Sequence, residues 1–168
     1  MRLQLPNATI RPWCASDAES MARYANNRKI WLWLRDAFPY PYSLENARWY
    51  LAKLAESESQ DSLAIEYHGE AVGGISAHRQ SDVERCSAEI GYWLGEPFWG
   101  RGLMSEVIRA FSDELLTAPD LHRVFAAPFD GNVGSLRVLE KAGFDYEGRL
   151  RNGVIKDGKV LDMLMYAK

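Results

Sequence analysis

An α+β (mixed α/β) fold of about six to seven strands and about four helices is what this sequence predicts, and three observations carry the prediction. Apolar residues in the first third recur at helical spacing, whereas from Ser62 onward they mostly alternate at strand spacing. Strands and helices then intermix without the regular βαβ alternation of a dinucleotide fold. A glycine turn, Gly100-Arg101-Gly102, joins a strand pattern directly to a helix pattern.

Residues 9–13 read as a short strand. Ser16-Asp17-Ala18-Glu19 fits a capping box that opens a helix carrying Met21, Ala22 and Tyr24. Residues 30–42 hold Trp31, Trp33, Phe38, Tyr40 and Tyr42, and Pro39 and Pro41 prevent one continuous helix there. Ser43 caps a second helix with Leu44, Ala47, Tyr50, Leu51 and Leu54 at helical spacing. Residues 63–67 and 71–77 alternate as strands around the hairpin turn His68-Gly69-Glu70. Residues 88–94 form a further strand, on which Ala88, Ile90, Tyr92 and Leu94 face one way and Glu89 and Trp93 the other. A helix over residues 103–116 sets Met104, Val107, Ile108, Phe111 and Leu115 on one side. Residues 123–128 return to strand spacing. Residues 132–142 form a last helix, with Asn132 at its N-cap and Gly143 at its end. Two strands, residues 144–151 and 160–166, flank the turn at Asp157-Gly158.

The 168 residues suffice for one domain with a sizeable core, and no repeat or linker divides them, so residues 1–168 are expected to form a single domain. A net charge of −3 with scattered Lys and Arg argues against a nucleic-acid partner. No apolar run reaches the ~20 residues that span a bilayer, and no hydrophobic signal core opens the sequence, so no membrane partner and a cytoplasmic location are expected. Cys14 and Cys86 lack both metal spacing and the density of a disulfide scaffold. No His or carboxylate pair has ligand spacing, and no metal is expected. His68 and His122 read as surface residues, while His78 is an outside candidate for handling an amine. A monomer and a homodimer both remain open.

Gly100 and Gly102 allow a sharp bend that leaves N–H groups bare at a helix start, where the helix dipole also favours negative charge. A phosphate or pyrophosphate is the natural ligand of such a bend. Three segments act together here: Ala88-Glu89-Ile90-Gly91-Tyr92-Trp93-Leu94; Phe98-Trp99-Gly100-Arg101-Gly102-Leu103-Met104-Ser105-Glu106; and Asn132-Val133-Gly134-Ser135 with Val138-Leu139-Glu140-Lys141-Ala142-Gly143-Phe144 and Glu147-Gly148. These motifs and the order of elements resemble the GNAT superfamily of acetyl-CoA-dependent N-acetyltransferases, and within it the RimJ/RimL-type branch.

The resemblance implies a central twisted, mostly antiparallel sheet flanked by helices. It implies acetyl-CoA as acetyl donor and a primary amine as acceptor, either a protein N-terminal α-amine, such as that of a ribosomal protein, or a small-molecule amine. Two departures stand out. Met104 closes the turn where the superfamily has Gly or Ala, while Trp99 at its first place is usual for the branch. Leu139 stands where many members carry a tyrosine that protonates the leaving thiolate, so that proton must come from elsewhere.

Acetyl transfer needs a neutral amine, a polarised thioester carbonyl and a proton for the thiolate. Glu89, beside Trp93 on a half-buried strand, is the candidate base. Backbone N–H groups around Tyr92, Trp93 and Leu94 are candidates to polarise the carbonyl. The phosphate cradle is expected from Trp99, Gly100, Arg101, Gly102, Leu103, Met104 and Ser105, with Arg101 adding charge. Asn132 fits an N-cap; the resemblance brings Asn132 and Ser135 to the pantetheine and thiol and makes Ser135 the proton relay. Arg137 and Lys141, one turn apart, are candidates for the nucleotide's 3′-phosphate. Trp31, Trp33, Phe38 and Tyr40, with Tyr42 and the turn Lys156-Asp157-Gly158-Lys159, are candidates to select the acceptor. Asp36, Glu45 and Asp162 are candidates to recognise its ammonium group. Neither cysteine lies near the turn, which favours direct attack in a ternary complex over an acetyl-enzyme. A non-catalytic CoA-binding sensor or interaction module is the alternative. A nicotinamide oxidoreductase is excluded because the turn has two glycines where that fingerprint has three.

Overall fold

The computed structural model describes residues 1–57 and 62–168. Among them are eight strands: β1 (Leu3–Gln4), β2 (Thr9–Pro12), β3 (Ser62–Tyr67), β4 (Glu70–Arg79), β5 (Ser87–Leu94), β6 (Arg123–Ala126), β7 (Asp145–Lys156) and β8 (Lys159–Ala167). Five helices accompany them: α1 (Ala18–Ala25), α2 (Arg28–Trp31), α3 (Leu44–Glu56), α4 (Leu103–Leu115) and α5 (Val133–Ala142). The strand order is β1-β2-β3-β4-β5-β6-β8-β7. β5 and β6 run parallel, whereas β1–β2, β2–β3, β3–β4, β6–β8 and β7–β8 are antiparallel. The sheet is mostly antiparallel, as expected. It gains the two-residue β1, which has too few residues to register as a pattern, and α2 adds one turn of helix to the four expected.

The chain divides into two compact units, Met1–Ser76 with Tyr92–Leu103, and Ala77–Gly91 with Met104–Lys168. In the first, α1 and α3 bury Ala18, Met21, Ala25, Ala47 and Leu51 together with Tyr42. Trp13, Phe38, Tyr50 and Trp93 pack against this cluster. Ser43 caps α3 as its residue type predicts, accepting the Asn46 N–H at 3.1 Å. The entry to α1 differs from expectation. Arg11 takes both Asp17 carboxylate oxygens at 2.8 Å, and Asp17 also accepts the Cys14 N–H at 2.9 Å. Residues Ala15–Asp17 therefore form a 3-10 turn before α1, and Asp17, not Ser16, binds the entering backbone. A charge pair with a neighbouring strand outweighs the local box. At the β3–β4 hairpin, His68 and Gly69 take φ of 50° and 83°, the left-handed pair a two-residue turn requires.

In the second unit α4 buries Met104, Val107, Ile108, Phe111 and Ser112. α5 ends as predicted at Gly143, with φ of 91°, where Gly143 donates to the Glu140 carbonyl and Phe144 to that of Leu139. The hairpin β7–β8 turns at Asp157 and Gly158, with φ of 49° and 72°. β7 is an edge strand whose register shifts between Tyr146 and Gly148 and between Leu150 and Val154. Such irregularities, with the charges of Arg149 and Arg151, discourage edge-to-edge pairing.

Candidate active site

β5 leads into the glycine turn through a 3-10 turn, Glu96–Phe98. Gly100 and Gly102 sit at φ of 75° and 77°, and a Cβ on either would meet nothing within 4 Å. Backbone conformation, not lack of room, demands glycine here, and the bend stays open. α4 starts immediately afterwards, and the leading N–H groups of an α-helix have no acceptor within it. This donor set fits a pyrophosphate. The approach is braced: the Trp99 indole donates to the Leu94 carbonyl at 2.7 Å, and Glu96 accepts Asn27 and Lys29. Arg101 stays exposed, with its guanidinium 5.8 Å above the Phe98 ring centre. Met104, the unusual closing residue, buries its side chain and is only 7% exposed. Gly100→Val or Gly102→Val places a β-branched residue at positive φ, at a cost of about 1–2 kcal/mol. Titration calorimetry is expected to show acetyl-CoA binding weakened roughly tenfold.

Within the first unit β4 brings a second pair of glycines to β5. A Cβ on Gly73 would lie 2.5 Å from the Trp93 carbonyl oxygen, and one on Gly74 would lie 2.9 Å from the Trp93 indole nitrogen and 3.0 Å from Trp13. Gly95 donates its N–H to the Val72 carbonyl at 2.8 Å, while the Leu94 carbonyl accepts from Trp99. Successive residues of a strand turn their main chain to opposite edges, so Leu94 faces away from β4. Tandem glycines inside a strand pattern signal close approach, and Gly73-Gly74 is that signal in the sequence.

The aromatic segment separates into two groups. Trp31 and Tyr40 pair at 5.7 Å between ring centres, and Tyr40 is exposed. Phe38 contacts Tyr42 at 4.8 Å and Trp93 at 5.9 Å. Tyr42 is core, not pocket wall: it is 6% exposed, donates to Met21 Sδ, and burial pushes its hydroxyl up to about 12. Trp33 is half-buried, and Asp36 and Glu45 are exposed. A polar cavity of about 350 Å³ in the same unit is lined by Arg11, Cys14, Asp17 and Glu70. Its charges already satisfy one another through Arg11–Asp17 and Arg23–Glu70.

In the second unit β5 pairs with β6 only over Ser87–Arg123, Ala88–Val124 and Glu89–Phe125. β6 ends at Ala126 while β5 continues to Leu94, and Glu89, half-buried, occupies the last rung the two strands share. Asn132 is the α5 N-cap, its Oδ1 accepting the Ser135 N–H at 3.2 Å. Ser135 is half-buried, and Arg137 and Lys141 are exposed on α5. Leu139, at the position of the missing tyrosine, is fully buried. Two expectations need correction. Lys156 is 3% exposed and so is no open charge at its turn, in contrast to Asp157 and Lys159. Asp162 is already engaged: it accepts the Asn152 N–H at 2.8 Å and Arg149 at 2.7 Å, and these contacts hold its carboxyl below the usual range. His68, His78 and His122 are exposed. Among the described residues no group of three or more His, Cys, Asp or Glu side chains is placed to hold a metal ion, and no helix is long and apolar enough to cross a membrane.

A family model described as an acetyltransferase (GNAT) domain matches residues 7–145, and the chain belongs to this GNAT acetyltransferase family. Its relatives include the Bacillus subtilis (strain 168) protein YdaF, whose name marks it provisionally as a ribosomal N-acetyltransferase. The two are 32% identical over 165 residues, covering 95% of this chain and 89% of YdaF. The ribosomal-protein-serine acetyltransferase of Escherichia coli (strain K12) is 30% identical over 99 residues, 59% of this chain and 55% of that protein. Mycobacterium smegmatis RimJ, solved in complex with CoA-disulfide, superposes with a TM-score of 0.85 at 27% identity, covering 100% of this chain and 85% of that one.

Proposed function

We propose that this acetyltransferase moves an acetyl group from acetyl-CoA to a primary amine, the N-terminal α-amine of a protein of the ribosomal class, by direct attack in a ternary complex. The observation that carries the reading is the open bend with Gly100 and Gly102 at φ of 75° and 77°, set directly ahead of α4. Kinship with YdaF, the E. coli ribosomal-protein-serine enzyme and RimJ supports the acceptor class. In this reading residues 1–168 act as one catalytic domain in the cytoplasm.

Acetyl-CoA supplies an acetyl group activated as a thioester. N–H groups from Gly100 to Ser105 hold its pyrophosphate, and Arg137 and Lys141 meet the 3′-phosphate. Glu89 takes a proton from the amine, directly or through water, so that the nitrogen lone pair attacks the thioester carbonyl carbon. The N–H groups of Tyr92 and Leu94, on the edge of β5 away from β4, stabilise charge developing on the carbonyl oxygen. The carbon–sulfur bond then breaks. Ser135, whose backbone Asn132 holds, relays a proton to the leaving sulfur. Trp31, Trp33, Phe38 and Tyr40 hold the acceptor.

The test incubates the protein with acetyl-CoA and a panel of amines: peptides with N-terminal Ser or Ala, and small polyamines. Free thiol release together with an acetyl mass increment on a peptide N-terminus is the expected result. Tight acetyl-CoA binding without thiol release for any amine would establish the sensor in its place.

A further inference from the structure

We infer that Gly73 and Gly74 of β4 are positioning residues for transfer, two adjacent glycines with separate tasks, both exerted through Trp93. The inference rests on the acetyl-transfer reading above and adds to it a determinant of acceptor fit. Gly73 meets the main chain of Trp93: a Cβ there would lie 2.5 Å from its carbonyl oxygen and 3.1 Å from Leu94 Cα. A carbonyl fixed in a strand cannot swing aside, so any side chain at residue 73 displaces β5 itself. The displaced segment includes Leu94, whose N–H is assigned to the thioester carbonyl. Gly74 meets only side chains, with the Trp93 indole at 2.9 Å and Trp13 Cζ2 at 3.0 Å. The lack of a Cβ at residue 74 lets the Trp93 indole approach β4 closely, and its ring meets Phe38 edge-to-face at 5.9 Å between ring centres. Gly73 thus places the donor-side backbone, and Gly74 places an aromatic wall on the acceptor side.

The two tasks separate kinetically. Gly73→Ala is expected to lower kcat about a hundredfold, the penalty of an ångström-scale misplacement, with the acceptor KM nearly unchanged. Gly74→Ala is expected to raise the acceptor KM about tenfold, the order of one misfitted methylene, with kcat nearly unchanged. Trp93→Leu removes the indole atoms that a Cβ at residue 74 strikes, leaving Trp13 Cζ2, but not the carbonyl that a Cβ at residue 73 strikes. Gly74→Ala should therefore lose part of its effect in the Trp93→Leu background, whereas Gly73→Ala should keep its own. Gly148→Ala, where a Cβ meets nothing within 4 Å, is the control for glycine replacement as such.

A fall in unfolding midpoint with kcat and KM moving together, or equal suppression of both substitutions by Trp93→Leu, would overturn the inference. If the glycine variants do not fold, Trp93→Leu alone decides: an acceptor KM raised about tenfold at unchanged kcat supports the wall, and an unchanged KM refutes it. Unfolding midpoints of the single and double variants read the same coupling without turnover. The coupling is expected at Gly74 only, so a wild-type protein that transfers nothing overturns the transfer reading and leaves this test standing.

Discussion

Glu89→Gln is expected to lower kcat/KM for the amine by about 10²- to 10⁴-fold, the range that a positioned general base contributes. Glu89 stands half-buried on the last rung that β5 shares with β6. Gln keeps the shape and the hydrogen-bonding oxygen but cannot accept the amine proton at neutral pH. The measurement is steady-state thiol release across pH at saturating acetyl-CoA. The Gln variant should fall below wild type by this factor at every pH at which both proteins stay folded. Acetyl-CoA affinity by calorimetry should stay within a factor of two, because nothing in the cradle is touched. Equal kcat/KM for the two proteins would remove Glu89 from the reaction and assign it to the sheet.

Arg11→Ala carries the largest expected loss of stability, about 3–5 kcal/mol. The Arg11 side chain is 11% exposed and bridges Asp17, 7% exposed, to Glu66 on β3. Truncation leaves the Asp17 carboxylate enclosed without its cation, which is worse than never having had the pair. For a chain of this length the loss corresponds to a fall in Tm of roughly 10 °C. Removing Asp17 as well should recover part of it, because the stranded charge goes with it.

Acid sensitivity follows from the same contact. Burial acts to raise the Asp17 pKa, but the Arg11 hydrogen bonds and the Cys14 N–H outweigh it and hold the group below its ordinary value. The folded pKa therefore lies below the unfolded one, near about 3.9. The stabilisation is complete above the unfolded value and is lost as pH falls through the lower, folded one. Chemical unfolding of wild type and Asp17→Asn should thus differ most at neutral pH and converge below about pH 4. A constant difference down to low pH would contradict the assignment.

Much of this protein was determined locally. The capping residue Ser43, the left-handed Gly143 and the proline-broken aromatic segment all follow from residue type and spacing, because each depends on a few neighbours along the chain. Gly100 and Gly102 belong with them: a positive φ ahead of a helix is a local demand, and both residues meet it. Matters decided by distant segments were not legible. Asp17 left the expected capping box because Arg11 reached it from β2, and Tyr42 joined the core because α1 and α3 closed over it. Asp162 was drawn to the β7 bulge by Arg149 and Asn152, and the tandem glycines of β4 gained their meaning only when Trp93 came to lie against them. Burial and long-range charge pairing depend on which segments meet, and periodicity along one strand or helix carries no record of its partner.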